Sequence, residues 1–130
     1  MTPAAKQGPA RLDLPQHGAS VARARSFVRQ VCLDAGLPFE LCDTAVLLTS
    51  ETVTNSFRHG RGGARLAVTA DEAGLLIEVG DDDPRTPHRR QFDPEALNGR
   101  GMAIVDLLAH AWGTYPTDTG KVVWFRLRLG

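Results

Sequence analysis

The stretch AVLLTSETVTNSFRHG, residues 45–60, decides the fold because it begins as an apolar helix and ends with polar side chains. The apolar positions here and just upstream fall into two rows at helical spacing. One row is Leu41, Ala45, Leu48 and Thr52, and the other is Cys42, Val46, Thr49 and Val53. Two such rows bury a helix on more than one side. The sequence therefore predicts a central helix from about Phe39 to His59, ended by Gly60.

Three polar side chains occur near the end of this helix, and they share one of its faces. Glu51, Asn55 and His59 are spaced four residues apart, which stacks them along the helix. One interpretation is a polar edge that faces solvent. The other rests on chemistry: an amide oxygen suits Mg²⁺, which keeps phosphates and waters as its remaining ligands, and a carboxylate can accept a proton. These three residues alone leave both interpretations open.

The segments around the central helix predict an α+β domain, a two-layer sandwich with helices on one face of an antiparallel or mixed sheet. The predicted strands are ARLDL at 10–14, ARLAVTA at 64–70, LLIEVGD at 75–81, AWGTYPTD at 111–118 and KVVWFRLRL at 121–129. The further helices are predicted at 18–36 and 99–112. Ser20 is the expected N-cap of the first helix and Gly36 its end. The last strand is expected to turn four side chains toward the core, namely Val123, Phe125, Leu127 and Leu129.

Length, charge and cysteine content narrow the class of protein. The chain of 130 residues is long enough for one domain, which we place at 12–130 after a flexible leader at 1–11. Its 15 basic and 15 acidic side chains cancel, which gives no support for bulk attraction to nucleic acid or an anionic membrane. No stretch approaches the ~20 apolar residues of a membrane span. Cys32 and Cys42 lie in apolar runs, and we interpret them as small buried hydrophobes in a reducing cytoplasm, without a disulfide framework.

Two further polar features follow the predicted hairpin. The strand ending in Asp81 continues into two more aspartates, which either begin a turn or offer a carboxylate to the amino group of adenine. Residues 82–98 form a proline-containing loop whose length is more typical of a functional loop than of an idle one. Gly99 and Gly101 then open a helix, where backbone N–H groups can approach a phosphate. Glycine also begins ordinary helices, so this motif is weak by itself.

The features occur in the order acid–amide helix, strand ending in aspartate, loop and Gly-x-Gly helix. This order resembles the N, G1 and G2 boxes of the GHKL superfamily, which includes gyrase, Hsp90 and histidine-kinase ATPase domains. The closer resemblance is to anti-sigma-factor serine/threonine kinases and single-domain ATP-binding regulators of actinomycetes. SETVTNSFRHG resembles their SELVTNAVRHG, and VGDDDPRTP their VRDDSPRLP. GRGMAIVDLLAHAWG and GKVVWF resemble their GRGLALVDALADRWG and GKTVWF. The resemblance covers about residues 12–129.

This resemblance implies a site for ATP and Mg²⁺. In it, Glu51 is the general base, Asn55 is the Mg²⁺ ligand and Asp81 binds the adenine amino group. The other nucleotide-binding residues that it implies are His59, Gly99, Arg100, Gly101 and Met102. Residues 82–98 become the ATP lid. Its cations either face the triphosphate or are simply solvated, and they are Arg85, His88, Arg89 and Arg90.

The same resemblance implies a cytoplasmic kinase that phosphorylates a serine or threonine of an anti-sigma-antagonist protein. An alternative is a nucleotide-gated binding module that sequesters a sigma factor or an antagonist without phosphoryl transfer. A third is a chain in which nucleotide binding has decayed and the partner surface alone remains. The resemblance makes a homodimer reasonable and implies neither direct nucleic-acid binding nor a membrane partner.

Four positions depart from the pattern of the resembled family. Asp83 stands where relatives carry Gly or Ser, and Val122 replaces a Thr that helps to bind adenine. Ser56 and Phe57 replace smaller or more apolar neighbours of Asn55. These changes bear on nucleotide affinity more than on the fold.

Overall fold

The computed structural model describes residues 8–59, 62–83 and 99–129, with the backbone alone for residues 59 and 99–103. The predicted strand, helix, helix, hairpin, helix and hairpin all form in that order. Their bounds are β1 Ala10–Leu14, α1 Ala19–Asp34, α2 Phe39–His59, β2 Ala64–Asp71, β3 Gly74–Asp81, α3 Gly99–Leu108, β4 Ala111–Pro116 and β5 Lys121–Arg128. No helix in this described part of the chain is long and apolar enough to cross a membrane.

The strands form one five-stranded sheet in the order β1-β2-β3-β5-β4, and every neighbouring pair is antiparallel. Alternate side chains of β2, β3 and β5 are buried, and α2 packs against these three strands as well as against α1 and α3. Strand side chains alternate between the two faces of a sheet, so this burial marks one covered face. The predicted α+β two-layer fold is confirmed.

The central helix α2 has the bounds that its apolar pattern predicts. All members of its two apolar rows are buried except Leu41, which is half buried. The polar groups in these rows are small hydroxyls, and Thr52 donates its hydroxyl to the carbonyl of Leu48 at 2.7 Å. The helix therefore forms the centre of the core on one side and is accessible on the side of Glu51 and Asn55.

The predicted N-cap of α1 is wrong. The helix begins at Ala19 with Gly18 as its N-cap residue, and Gly18 makes no side-chain capping bond. Ser20 lies inside the first turn and donates its hydroxyl to the carbonyl of Pro15 at 2.6 Å. The ring Nδ1 of His17 accepts the N–H of Ala19 at 3.1 Å, so a side chain two residues upstream takes over the capping role.

The interpretation of the cysteines as unpaired is also wrong, although their predicted burial is confirmed. Cys32 in α1 and Cys42 in α2 form a disulfide, and both residues are completely buried. Gly36 adopts a positive φ of 75° and ends α1, so the chain reverses and the two helices run side by side. Their Cα atoms come within 5.7 Å, a separation that suits a disulfide.

The closing hairpin differs from the prediction at both ends. The helix α3 ends at Leu108 and β4 ends at Pro116, each a few residues earlier than predicted. Val123, Phe125 and Leu127 point into the core as expected, whereas Leu129 is 39% exposed because β5 ends at Arg128. At the start of β5, the hairpin turn lies so close to β3 that a Cβ at Gly120 would collide with the backbone carbonyl of Asp81. A residue without a side chain is needed there, and Asp81 is thereby held against the start of β5.

Candidate functional site

The polar face of α2 forms one wall of the candidate site. Glu51 and Asn55 are both half buried and lie one turn apart. Within residues 8–59, 62–83 and 99–129, neither side chain has a hydrogen-bond partner. The third member of the predicted row, His59, ends the helix, and its side chain lies outside the described residues. A partly enclosed carboxylate and amide with unused hydrogen-bonding capacity are available to a ligand.

The floor of the site is Asp81, at the end of β3. Its side chain is only 3% exposed, and it forms an ion pair with Lys121. The Lys121 ammonium donates to Oδ1 at 3.1 Å, to Oδ2 at 3.0 Å and to the carbonyl of Asp83 at 3.3 Å. The hydroxyl of Ser56 donates to Oδ2 at 2.9 Å, and the N–H of Asp83 donates to Oδ1 at 2.9 Å. Asp81 therefore binds groups from β5, α2 and its own turn.

These contacts join the wall and the floor. Ser56 follows Asn55 directly in α2, so its bond to Asp81 brings the Glu51–Asn55 face beside the end of β3. The antiparallel register places Lys121 opposite Asp81, and Val122 opposite Gly80. A buried carboxylate is costly unless it is paired and hydrogen bonded. Here Lys121 supplies the ion pair, and the Ser56 hydroxyl and the Asp83 N–H supply further hydrogen bonds.

The two aspartates after Asp81 have structural roles in the turn. Asp83 is 6% exposed, and its N–H closes a turn on Asp81. Asp82 is more exposed and forms an ion pair with Arg65 of β2 at 3.1 Å. The interpretation of these residues as the start of a turn is therefore correct. The ligand role of Asp81 stays a prediction.

The predicted phosphate-binding segment begins α3, as the glycine pattern indicates. The helix starts at Gly99, and its later part packs against α2 and β4. The side chains of Arg100 and Met102 lie outside the described residues, as do residues 84–98 of the lid predicted at 82–98, with all of its predicted cations. The roles proposed for Gly99, Arg100, Gly101 and Met102 accordingly stay predictions.

Two residues around Asp81 have contacts that the sequence patterns do not predict. Ser56 is a departure from the resembled family, and Lys121 lies in the GKVVWF segment without an assigned role. The sequence does contain a signal for Lys121: it alternates along β5 with Val123 and Phe125, so its side chain lies on the same inward face of the strand. A lysine on the core side of a strand needs a buried counter-charge. Asp81 can supply it, because it alternates along β3 with the buried Ile77 and Val79 and so lies on the inward face of that strand.

A magnesium ion is compatible with the residues present. The Asn55 amide supplies a hard, neutral oxygen that no described residue engages, and the Mg²⁺ sites of nucleotide enzymes need few protein ligands. No group of three or more His, Cys, Asp or Glu among the described residues is arranged to hold a metal. The fit is therefore to a metal that arrives with phosphates, and not to a metal held by protein ligands alone.

Two other features lie apart from these residues. A cavity of about 400 Å³ opens at the far end of β5 from Lys121. It is lined by Leu41, Thr44, Leu108, Ala109, His110, Leu127, Arg128 and Leu129. On β4, burial raises the pKa of Tyr115 above its usual value, and the hydrogen bond that it donates to Glu78 adds to this shift. The phenol is therefore protonated at neutral pH and acts as a donor there.

The sequence matches the family described as the histidine kinase-like ATPase domain over residues 14–127. The chain therefore belongs to this family and to the GHKL superfamily, and membership in an ATPase domain family implies that it binds ATP. No curated protein matches the chain.

Among solved structures, the chain is similar to the histidine kinase domain of the blue-light activated histidine kinase EL346 from Erythrobacter litoralis. The identity is 22% and the TM-score 0.57, over 88% of this chain and 61% of that structure. The chain thus spans about three fifths of the structure that it matches, and at this identity the likeness concerns the fold.

Proposed function

We propose that this protein is an ATP-dependent serine/threonine kinase of the anti-sigma type, which phosphorylates a small anti-sigma-antagonist protein. The observation that carries the proposal is the pair Glu51 and Asn55. They are half buried, unengaged by described residues, and joined through Ser56 to the Asp81 floor. The family match supports ATP as the phosphoryl donor. The proposed assembly is a homodimer. The proposed setting, the cytoplasm, rests on the family resemblance and not on the cysteines, because Cys32 and Cys42 form a disulfide.

In the proposed reaction, the oxygen of the acceptor hydroxyl bonds to the γ-phosphorus while the bond from that phosphorus to the β–γ bridging oxygen breaks. ADP leaves, and Glu51 accepts the hydroxyl proton. Asn55 would hold the nucleotide-associated Mg²⁺, and the bound metal would screen the phosphate charges. Asp81 orients the base by accepting a hydrogen bond from its amino group. Glu51 is the only one of these groups whose role requires transfer of a proton.

A second candidate is a nucleotide-gated module that sequesters a sigma factor or an antagonist without phosphoryl transfer. The contacts of Asp81 favour it, because its oxygens already accept bonds from Lys121, Ser56 and Asp83. Val122 adds to this argument, since a valine next to Lys121 offers no hydroxyl to a base. Both features weaken the hold on the nucleotide that efficient phosphoryl transfer requires, and neither affects a protein-binding surface.

The variant Glu51→Gln separates the two candidates. In the kinase it should lower the rate of label transfer from ATP to the antagonist by about 10²–10⁴-fold, because general-base catalysis is lost. Nucleotide affinity should persist, since Asn55 is unchanged. In the module, antagonist affinity and its ATP dependence should be the same as in the native protein.

The matched control is Glu40→Gln, which removes a carboxylate from the exposed first turn of the same helix. It should leave label transfer unchanged. The experiment uses purified protein, labelled ATP, Mg²⁺ and candidate antagonists from the same organism. If the native protein transfers label to none of the antagonists that it binds, the kinase proposal is wrong and the module is favoured.

A further inference from the structure

The Asp81 carboxylate has all of its acceptor positions occupied by protein groups. A carboxylate offers about four lone-pair positions. Lys121 takes two of them, one on each oxygen, the Asp83 N–H takes another on Oδ1, and the Ser56 hydroxyl takes another on Oδ2. A base whose amino group binds Asp81 must therefore displace one of these donors.

The donors differ in how firmly they are held. The Lys121 ammonium is charged, is 8% exposed and uses all three of its N–H groups within the cluster. The Asp83 N–H is a backbone group fixed by the turn. The Ser56 hydroxyl is neutral, makes one bond, and belongs to a half-buried side chain that can rotate. Displacing Ser56 is therefore the least costly way to free an oxygen.

We propose that Ser56 determines nucleotide affinity and base specificity: its hydroxyl occupies the oxygen of Asp81 that the amino group of adenine must use. This inference rests on the proposed function, in which Asp81 reads the base. Lys121 keeps Asp81 in position throughout, and the Ser56 bond is exchanged for the bond from the base. Part of the free energy gained from the base is then spent on breaking the Ser56 bond, so this protein binds ATP more weakly than an otherwise equal site with alanine at that position.

The test compares Ser56→Ala with the native protein by calorimetry and thermal unfolding. Without nucleotide, the variant should have a lower Tm because a hydrogen bond to a buried carboxylate is lost. ATP should nevertheless bind it about tenfold more tightly, because no bond remains to be broken. A purely structural role for Ser56 lowers the Tm and gives no gain in affinity.

Two controls make the assignment specific. Ser56→Thr keeps the hydroxyl and should restore native affinity, whereas Thr44→Ala removes a hydroxyl bonded to Glu40 elsewhere on α2 and should leave affinity unchanged. Purine riboside triphosphate, which has hydrogen in place of the amino group, should bind native protein and Ser56→Ala equally well.

Equal or weaker ATP binding by Ser56→Ala, with native protein that binds ATP, overturns the inference and leaves the proposed function standing. A gain that is the same for ATP and for purine riboside triphosphate also overturns it, because the amino group is then irrelevant. If folded native protein and folded Ser56→Ala both fail to bind ATP, the proposed function is contradicted and the inference with it.

Discussion

The Asn55 side chain makes no evident contribution to the stability of α2. Its side chain is half buried, and its amide makes no hydrogen bond within the described part of the chain. An amide that stabilised α2 would be expected to bond to a neighbouring group, as Thr52 does with Leu48. Its unused oxygen supports a role in binding the nucleotide-associated metal.

We therefore expect Asn55→Ala to lose Mg-ATP affinity while it keeps its stability. Loss of a metal ligand should weaken binding by at least about tenfold, and removal of an unbonded, half-buried amide should change the unfolding free energy by less than ~1 kcal/mol. Calorimetry with Mg-ATP and denaturant unfolding measure the two quantities. Unchanged Mg-ATP affinity in this variant contradicts the assignment of Asn55.

The residues around Asp81 show what a single sequence can predict about this site. Spacing along one helix places Glu51 and Asn55 on the same face, because helical neighbours follow from the sequence alone, whereas their roles as base and metal ligand come from the family resemblance. The contacts of Asp81 with Ser56 and Lys121 join residues 25 and 40 positions apart. They depend on strand register and helix docking, which periodicity does not supply.

At the level of elements, the apolar patterns predicted which helices and strands form, and the errors lie at their ends. The prediction for Ser20 failed because its hydroxyl donates to the carbonyl of Pro15 and its N–H donates to the carbonyl of His17. Residue preferences do not reveal this local arrangement. The disulfide was missed for a related reason. Spacing shows that Cys32 and Cys42 face the core, but the distance between them is set by the α1–α2 turn.

The disulfide should stabilise the pair formed by α1 and α2. It closes a short loop, with a sequence separation of 10, and cross-links of that size contribute roughly 2–3 kcal/mol to the unfolding free energy. Reduction by dithiothreitol should lower the denaturant midpoint accordingly, with little change in the m-value of native protein. The double variant Cys32→Ala/Cys42→Ala should show no response to the reductant. A native midpoint that is insensitive to complete reduction contradicts this expectation.

At the scale of the whole molecule, the core and the candidate site occupy different parts of the same two-layer fold. Buried residues of β2, β3 and β5 pack under α1 and α2, whereas the polar groups gather where β3 and β5 meet the later half of α2. A ligand at this junction contacts helix and sheet together. Its binding free energy should therefore add to the stability of the whole domain and not only to that of a loop.

Nucleotides that differ in their base should therefore raise the Tm by different amounts. At a concentration about 100 times its Kd, a non-hydrolysable ATP analogue with Mg²⁺ should add ~2.7 kcal/mol to the unfolding free energy. For a domain of 130 residues, that gain corresponds to a Tm increase of roughly 5–15 °C. The matching GTP analogue presents a carbonyl where adenine has its amino group, and a carbonyl has no hydrogen to donate to the Asp81 carboxylate. At equal concentration the GTP analogue should raise the Tm by several degrees less. Asn55→Ala should reduce the Tm increase that the ATP analogue causes. Equal shifts for the two nucleotides contradict Asp81 as the reader of the base, and no shift with either nucleotide contradicts a nucleotide site at this junction.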